Sequence, residues 1–399
     1  MKTSALNLFD PAVKQAPLSW FHQLATRPPV VQSVFGVDSL IMGRFRDVET
    51  GYVDYQRFSS VKPRIPGQEG IDYFKGKPII SFVDPPEHTR LRRNLAASMS
   101  PAAIRALGDD LARRLDDALD RLDGDLEAMA TFAHPLAVNV VLGDLLGLPG
   151  EDFAIFEDLT REMCDLGKLS PGESHPASYD AAWAKAQDYL ENIIAGARSG
   201  IAGNKIIATL VAMNREDAAL DSEELLLQLM PLCVAGISPI ASMLGSVLHM
   251  LARHADQFAV LKARPELVDN ALEEILRFDP PSVFSPRYAR GDFHYEGAEV
   301  RDGMPVYLVV GAIGFDPAVY SEPLRFDVSR PIPPHVIFAK GPHSCLGMHL
   351  VRLLGRLLLQ RLATRYRRLE LRNPGGIVRH GGSPQARDPE AILLRLVRQ

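Results

Sequence analysis

Apolar residues along this 399-residue chain recur mostly at three- and four-residue spacing, the mark of helices with one buried face. That period predicts helices over Ala102–Leu122 and Leu126–Leu146, with breaks near Gly124 and Gly147–Gly150 and a loop over Gly167–Tyr179. Leu267–Phe278 and Leu346–Tyr366 are amphipathic in the same way, and a short helix is expected near Leu18–Ala25. Runs of period two are few and brief. Val30–Val34, Ser39–Met42, parts of 293–310, Leu369–Leu371 and Ile392–Leu396 predict small strands. Residues 59–80 hold three prolines and three glycines without a clear period, and predict a long loop of the kind that forms lids or binding segments. No Ser/Gly linker and no repeat divides the chain. The expectation is one mainly α domain over 1–399 with small β-sheets.

One stretch changes the picture. Leu225–Leu248 carries no formal charge and is long enough to cross a bilayer. It also contains Gln228, Pro231, Gly236, Ser238, Pro239, Ser242, Gly245 and Ser246, a poor mixture for a span facing lipid. We read it as the buried middle of a helix over roughly 221–253, capped by Asp221-Ser222-Glu223-Glu224 and apolar all round because it lies inside the molecule. Pro239 removes an N–H and clashes with the carbonyl of Ala235, so a kink is expected there.

Charge and cysteine use exclude some classes. A net charge of −5 argues against a dedicated nucleic-acid binder. Cys164, Cys233 and Cys345 are widely spaced and odd in number, which suits a reducing compartment better than a disulfide framework. The first fifteen residues hold no apolar segment of the secretory type, so a cytoplasmic protein outside the membrane is expected.

The candidate chemistry begins at Phe338-Ala339-Lys340-Gly341-Pro342-His343-Ser344-Cys345-Leu346-Gly347. A cysteine between glycines, just before an apolar helix, meets unpaired N–H groups and the positive end of the helix dipole, both of which favour a thiolate. The glycines let the backbone approach a large flat ligand. A second stretch, Asp84-Pro85-Pro86-Glu87-His88-Thr89-Arg90-Leu91-Arg92-Arg93, predicts a helix start with Asp84 as N-cap and Glu87 at capping-box spacing. His88 and Arg92 then share a face. Glu274 and Arg277 do likewise on their own helix.

The cysteine loop closely resembles the haem-ligand loop of the cytochrome P450 superfamily, Phe-Gly-x-Gly-x-His-x-Cys-x-Gly. Every fixed position matches except the first glycine, which is Ala339 here. The resemblance extends in order through the His-x-x-x-Arg helix, the central helix and Glu-x-x-Arg, and it implies that family's fold, a triangular helical domain. It implies Cys345 as the proximal iron ligand, with thiolate electron density favouring O–O cleavage. It also implies haem b contacts from His88, Arg92, Arg287, Phe338, His343 and Gly347. Glu274 and Arg277 become a buried brace without a catalytic role. Substrate contacts are implied at Phe82, Leu232, Ile237, Ile240, Val283 and Phe284, with a turn near Gly382–Gln385 entering the pocket floor. The family's acid nine positions after the cysteine is Leu354 here.

The departure that matters lies on the central helix. Where the family has Ala-Gly-x-Asp/Glu-Thr, this chain has Ala235-Gly236-Ile237-Ser238-Pro239, so the acid and alcohol that relay protons are replaced. The resemblance implies a monooxygenase that inserts an oxygen atom from O2 into a small, largely apolar molecule, in specialised metabolism or xenobiotic breakdown. Ala235, Gly236, Ser238 and Pro239 would form its catalytic segment. Electrons from NAD(P)H would arrive through a ferredoxin reductase and ferredoxin docked on a basic patch of Lys340, Arg352, Arg356, Arg90 and Arg93. The alternative is an atypical haem-thiolate oxidase that is peroxide-driven, dehydrogenating or coupling; a non-enzymatic sensor fits the gated pocket less well.

Overall fold

The computed structural model describes residues 13, 15–63, 74–75, 77–122, 124–166, 174–198, 205–217, 220–331, 336–373, 377–380 and 385–399. Helices dominate. Five position the site: α1 (Glu87–Ser98), α2 (Ser222–Ala235), α3 (Ile237–Arg253), α4 (Val268–Phe278) and α5 (Met348–Arg365). The largest hydrophobic cluster joins them through Leu91, Leu95, Leu229, Leu244, Leu248, Leu272, Ile275, Leu354 and Leu358, all within 2% of complete burial. Leu354, the residue at the family's acidic position, is one of these core contacts.

The strands form small sheets, as the brief period-two runs predict. The largest has the order Val30–Val34, Val37–Met42, Pro305–Leu308, Ser285–Ala289, Phe58–Ser59. It is antiparallel except where Leu40–Met42 runs parallel to Val306–Leu308. A three-stranded sheet pairs Leu393–Arg398 with both Gly124–Glu127 and Tyr366–Leu371. Leu126 and Tyr366, expected in helices, therefore belong to strands. Met129–Leu145 is the apolar helix that follows, wound partly in wide turns around Pro135.

The central helix is where local chemistry acts most visibly. Asp221 caps α2: its carboxylate accepts from the Glu224 N–H at 2.8 Å, and Glu224 accepts from the Asp221 N–H at 3.0 Å. At Gly236 the helix is interrupted, and α3 restarts at Ile237. Pro239 has no N–H for the Ala235 carbonyl, and the ladder resumes with Ile240 N–H donating to Gly236 at 3.2 Å. Ser222–Arg253 has the length and hydropathy of a membrane span, but 72% of its apolar window is buried inside the protein. It is a core helix.

The start of α1 corrects an expectation. Pro86 occupies the N-cap position without a side-chain bond, so the Asp84–Glu87 capping box does not form. Asp84 instead accepts from the Ser59 hydroxyl at 2.5 Å, the Ser60 N–H at 3.0 Å and Arg290 at 2.8 Å. Glu87 pairs with Arg90 at 2.6 Å.

Candidate active site

The Cys345 loop is held by its own backbone. Cys345 N–H donates to the Phe338 carbonyl at 2.7 Å, and Ala339 N–H to Val336 at 2.9 Å. Gly341 has φ +71°, and a Cβ there would stand 3.2 Å from the Tyr52 carbonyl, so this turn requires glycine. Ala339, where the family pattern has glycine, also adopts a positive φ of 60°. The Cys345 side chain is exposed, yet protein surrounds it closely enough that burial raises its thiol pKa; it faces a recess, not bulk water. The N–H groups of Gly347 and Met348 and the guanidiniums of Arg92 and Arg352 pull the other way without prevailing.

Beside the cysteine the structure gathers four basic groups. The His88 and His343 rings meet at a tilt of 49° with centroids 4.2 Å apart. Arg92 donates to the Ser344 carbonyl at 2.5 Å, and His343 bonds the Ser60 hydroxyl at 3.0 Å. Arg287 lies over the Tyr52 ring at 5.5 Å and donates to the Pro286 carbonyl at 2.7 Å. Among the described residues no carboxylate forms an ion pair with Arg92 or Arg287, and the buried Nε2 of His88 has no hydrogen-bond partner. Burial, with Arg92 and Arg287 adding repulsion, lowers the His88 pKa to about 4. His343 is lowered to about 3 by burial, Arg287, His88 and Arg92. Burial likewise lowers the pKa of both arginines. Uncompensated buried cations are costly and call for an anion. A ligand carrying two carboxylates beside a thiolate-seeking metal answers that need, so the residues present fit a haem.

The structure places the distal candidates unevenly. In the middle of this mostly buried helix pair Ala235 and Pro239 are exposed and Leu232 and Gly236 half-buried, which sets these four on one open face. Ser238 is half-buried next to them, and its hydroxyl donates to Asp388 at 2.6 Å. Ile237 and Ile240 are packed in the main core, and Val283 and Phe284 in a cluster with Phe21 and Phe315. Phe82 is 37% exposed and meets Phe74 edge-on at 6.1 Å. The turn at Gly382–Gln385, apart from Gln385, the loop at 167–173 and the middle of the 59–80 loop lie outside the described residues.

The cations of the expected basic patch have acidic partners. Lys340 pairs with Glu49, Arg352 with Glu273 and Arg356 with Asp269, each at 2.6 Å, and Arg90 with Glu87 and Glu224. Except for Glu87, these carboxylates are distant in sequence from the cations that they neutralise. Sequence reasoning also missed Asp279, which accepts from Arg387 at 2.9 Å and from Arg379, and Asp388, which accepts from Ser238 and Ser242. No local spacing announces pairs about 100 to 150 residues apart.

A loop cysteine presented at a helix start, beside buried unpaired cations in a mainly α fold, defines a haem-thiolate site. The chain belongs to the cytochrome P450 family, whose model matches residues 5–374. It is 30% identical over 327 residues to the vitamin D(3) 25-hydroxylase of Pseudonocardia autotrophica, covering 81% of this chain and 79% of that protein. It is also 30% identical over 291 residues to the polyketide biosynthesis cytochrome P450 PksS of Bacillus subtilis, covering 72% and 70%. The crystal structure of CalO2 superposes with a TM-score of 0.87 at 27% identity over 99% of each chain. The protein is an oxidoreductase of the monooxygenase class, with a haem cofactor, O2 and a small organic substrate.

Proposed function

We propose that the protein inserts one oxygen atom from O2 into a small, largely apolar organic molecule of specialised metabolism, in the cytoplasm. The observation that carries this reading is the open face of Leu232, Ala235, Gly236 and Pro239: it offers an apolar surface to a substrate and no side-chain hydrogen bond. The polyketide role in the name of PksS supports the metabolic setting. Haem b would be held by Cys345 on the metal and by His88, Arg92, Arg287 and His343 on its carboxylates, with Phe338 and Gly347 beside the thiolate. When bound, the haem supplies oxygen activation, and the protein supplies orientation and electrostatics. Tyr52 holds Arg287 in place, Ser60 orients the His343 ring, and Phe338 under Arg352, 4.8 Å from its ring centre, walls the cysteine side. Electrons would come from NAD(P)H through ferredoxin reductase and a ferredoxin-type donor; unchanged reduction rates in Arg93→Glu and Arg352→Glu would remove this face as the docking surface.

The missing acid/alcohol pair keeps an atypical peroxide-driven, dehydrogenating or coupling oxidase as the second reading, favoured by the helix interruption at Gly236 and by Pro239. The test is an optical titration of the ferric protein with terpenoids, fatty acids, macrolides, aromatics and cyclic dipeptides. Product formation is then measured from the responding class with O2 and a ferredoxin system. A saturating Soret shift and an oxygenated product support the first reading. Product from added peroxide alone supports the second. Loss of the thiolate signature in the reduced carbon-monoxide complex would remove the Cys345 assignment itself.

A further inference from the structure

Monooxygenation consumes protons, because the second oxygen atom of O2 leaves as water. Leu232, Ala235, Gly236 and Pro239 carry no dissociable group. The Cys233 thiol next to Leu232 is fully buried, and burial raises its pKa, so the nearest group open to exchange is the Ser238 hydroxyl, which the structure does not leave alone. Its hydroxyl donates to Asp388 Oδ2 at 2.6 Å, while Ser242, one turn further along α3, donates to Oδ1 of the same carboxylate. Ala235, Ser238, Pro239 and Ser242 repeat at three- and four-residue spacing, so the carboxylate lies beside the open face.

Asp388 is fixed from its other side as well. It sits where Arg379–His380 pairs antiparallel with Asp388–Pro389. That ribbon is tied to the chain after α4 by Val283 N–H to Gln385 at 2.7 Å and Arg387 N–H to Pro281 at 2.9 Å. Beneath it Asp279 receives the guanidinium of Arg387 at 2.9 Å and that of Arg379, all three side chains being nearly fully buried. Asp388 itself is half-buried and so remains open to proton exchange with water. A carboxyl group held rigidly on a hydroxyl, with one side toward solvent, is a proton path.

We propose that Asp388 is the proton-supplying positioning residue of this site and that Ser238 is the hydroxyl through which it acts. In the resting arrangement Ser238 donates to the carboxylate. A proton from water converts Asp388 to the acid, which donates to Ser238 Oγ as that hydroxyl releases its own proton toward the reacting oxygen. Both groups return to their starting states, and no electron moves between them. The proposal rests on the O2-using reading, and its test separates the two.

The haem-loaded protein is reduced, and carbon monoxide is bound as a probe of the hydrogen bonds around the distal position. The C–O stretching band should move in Ser238→Ala and in Asp388→Asn. It should move no further in the double variant, because one path carries both effects. Ser246→Ala, which removes a buried hydroxyl with no partner, should leave the band in place. In turnover, the fraction of consumed O2 released as hydrogen peroxide should rise at least threefold in either variant. An unmoved band in both, with the thiolate signature retained, overturns the path. A moved band without increased peroxide release reduces the contact to a structural one and overturns the proton role. A wild-type protein that turns over only with added peroxide refutes the O2 reading, whatever the band does.

Discussion

Two arginine clusters of this protein, one around Glu274 and one around Arg287, differ in one respect. Around Glu274 every charge is answered: Arg277 donates twice, at 2.6 and 2.9 Å, Arg330 once at 3.2 Å, and the Asp327 N–H at 2.9 Å. Arg277 spends its remaining donors on the carbonyls of Gly314, Pro323 and Arg325, which fixes the irregular chain leading to the cysteine loop. Around Arg287, with Arg92 and the neutral rings of His88 and His343, the basic groups face one another, and among the described residues no carboxylate forms an ion pair with the two arginines. Arg287 is buried and Arg92 half-buried, and neither is compensated. The paired cluster is a brace complete within the chain, and the unpaired one is complete only with a ligand.

The largest expected effect breaks the brace. Glu274→Gln leaves Arg277 and Arg330 buried without a carboxylate and should cost about 3–5 kcal/mol, read as a fall in the urea midpoint at unchanged m-value. A loss below about 1 kcal/mol would mean that the backbone carbonyls suffice and that the contrast is overdrawn.

Next in size is the pH dependence of the unpaired cluster. Burial first, then Arg92 and Arg287, holds the His88 pKa at about 4, against an ordinary value near 6.5. A depressed histidine is neutral in the fold while the unfolded chain binds a proton. Stability is therefore full above pH 6.5 and falls as pH drops toward 4, by up to about 1.4 kcal/mol per unit for His88 and as much again for His343, whose pKa is held at about 3. Haem carboxylates favour the protonated ring and should flatten that slope. Urea midpoints at pH 7 and pH 5, with and without haem, measure it; equal slopes would place the carboxylates elsewhere.

Arg287→Met should act on the ligand and not on the fold. Removing a buried cation without a carboxylate partner should leave the cofactor-free midpoint unchanged or higher. The loss of a charge-assisted bond, about 1.5–3 kcal/mol, should speed haem dissociation roughly tenfold or more. Transfer of haem to apomyoglobin measures that rate. A variant that unfolds as Glu274→Gln does would erase the distinction between the clusters.

What could be read in the sequence follows the same division between local and distant partners. The cysteine loop, the Asp221 cap and the Glu274–Arg277 pair lie within ten, four and four consecutive residues, so spacing alone reveals them. Asp84 misleads for the opposite reason: it stands where a cap belongs, but Ser59, Ser60 and Arg290 reach it first. The acidic partners of the basic patch were equally hidden, because Glu49, Glu273 and Asp269 arrive from other segments. Asp388 was invisible, since its partners Ser238 and Ser242 lie about 150 residues away. The proline at 239 was legible as a break, and the break is displaced to Gly236 because the missing N–H is felt one turn earlier, at the Ala235 carbonyl.

The smallest effect concerns Ala339, the one residue at which the cysteine loop departs from its family pattern. With φ at 60° its methyl group carries a left-handed strain of about 1–2 kcal/mol, which glycine would relieve. Glycine would also add about 0.4–1 kcal/mol of freedom to the unfolded chain, and it would lose a methyl that packs beside Tyr52, Val306 and Val336, worth at most about 0.8 kcal/mol. These contributions nearly cancel. Ala339→Gly should therefore change stability by less than about 0.5 kcal/mol, which explains why alanine is tolerated here. Ala339→Val keeps the strain and adds a β-branch in a conformation that disfavours it, so it should lose roughly 2 kcal/mol. Melting curves of the two variants decide the matter. A stabilisation above about 1 kcal/mol in Ala339→Gly would mean that the methyl contacts contribute little and that the loop holds its cysteine under real strain.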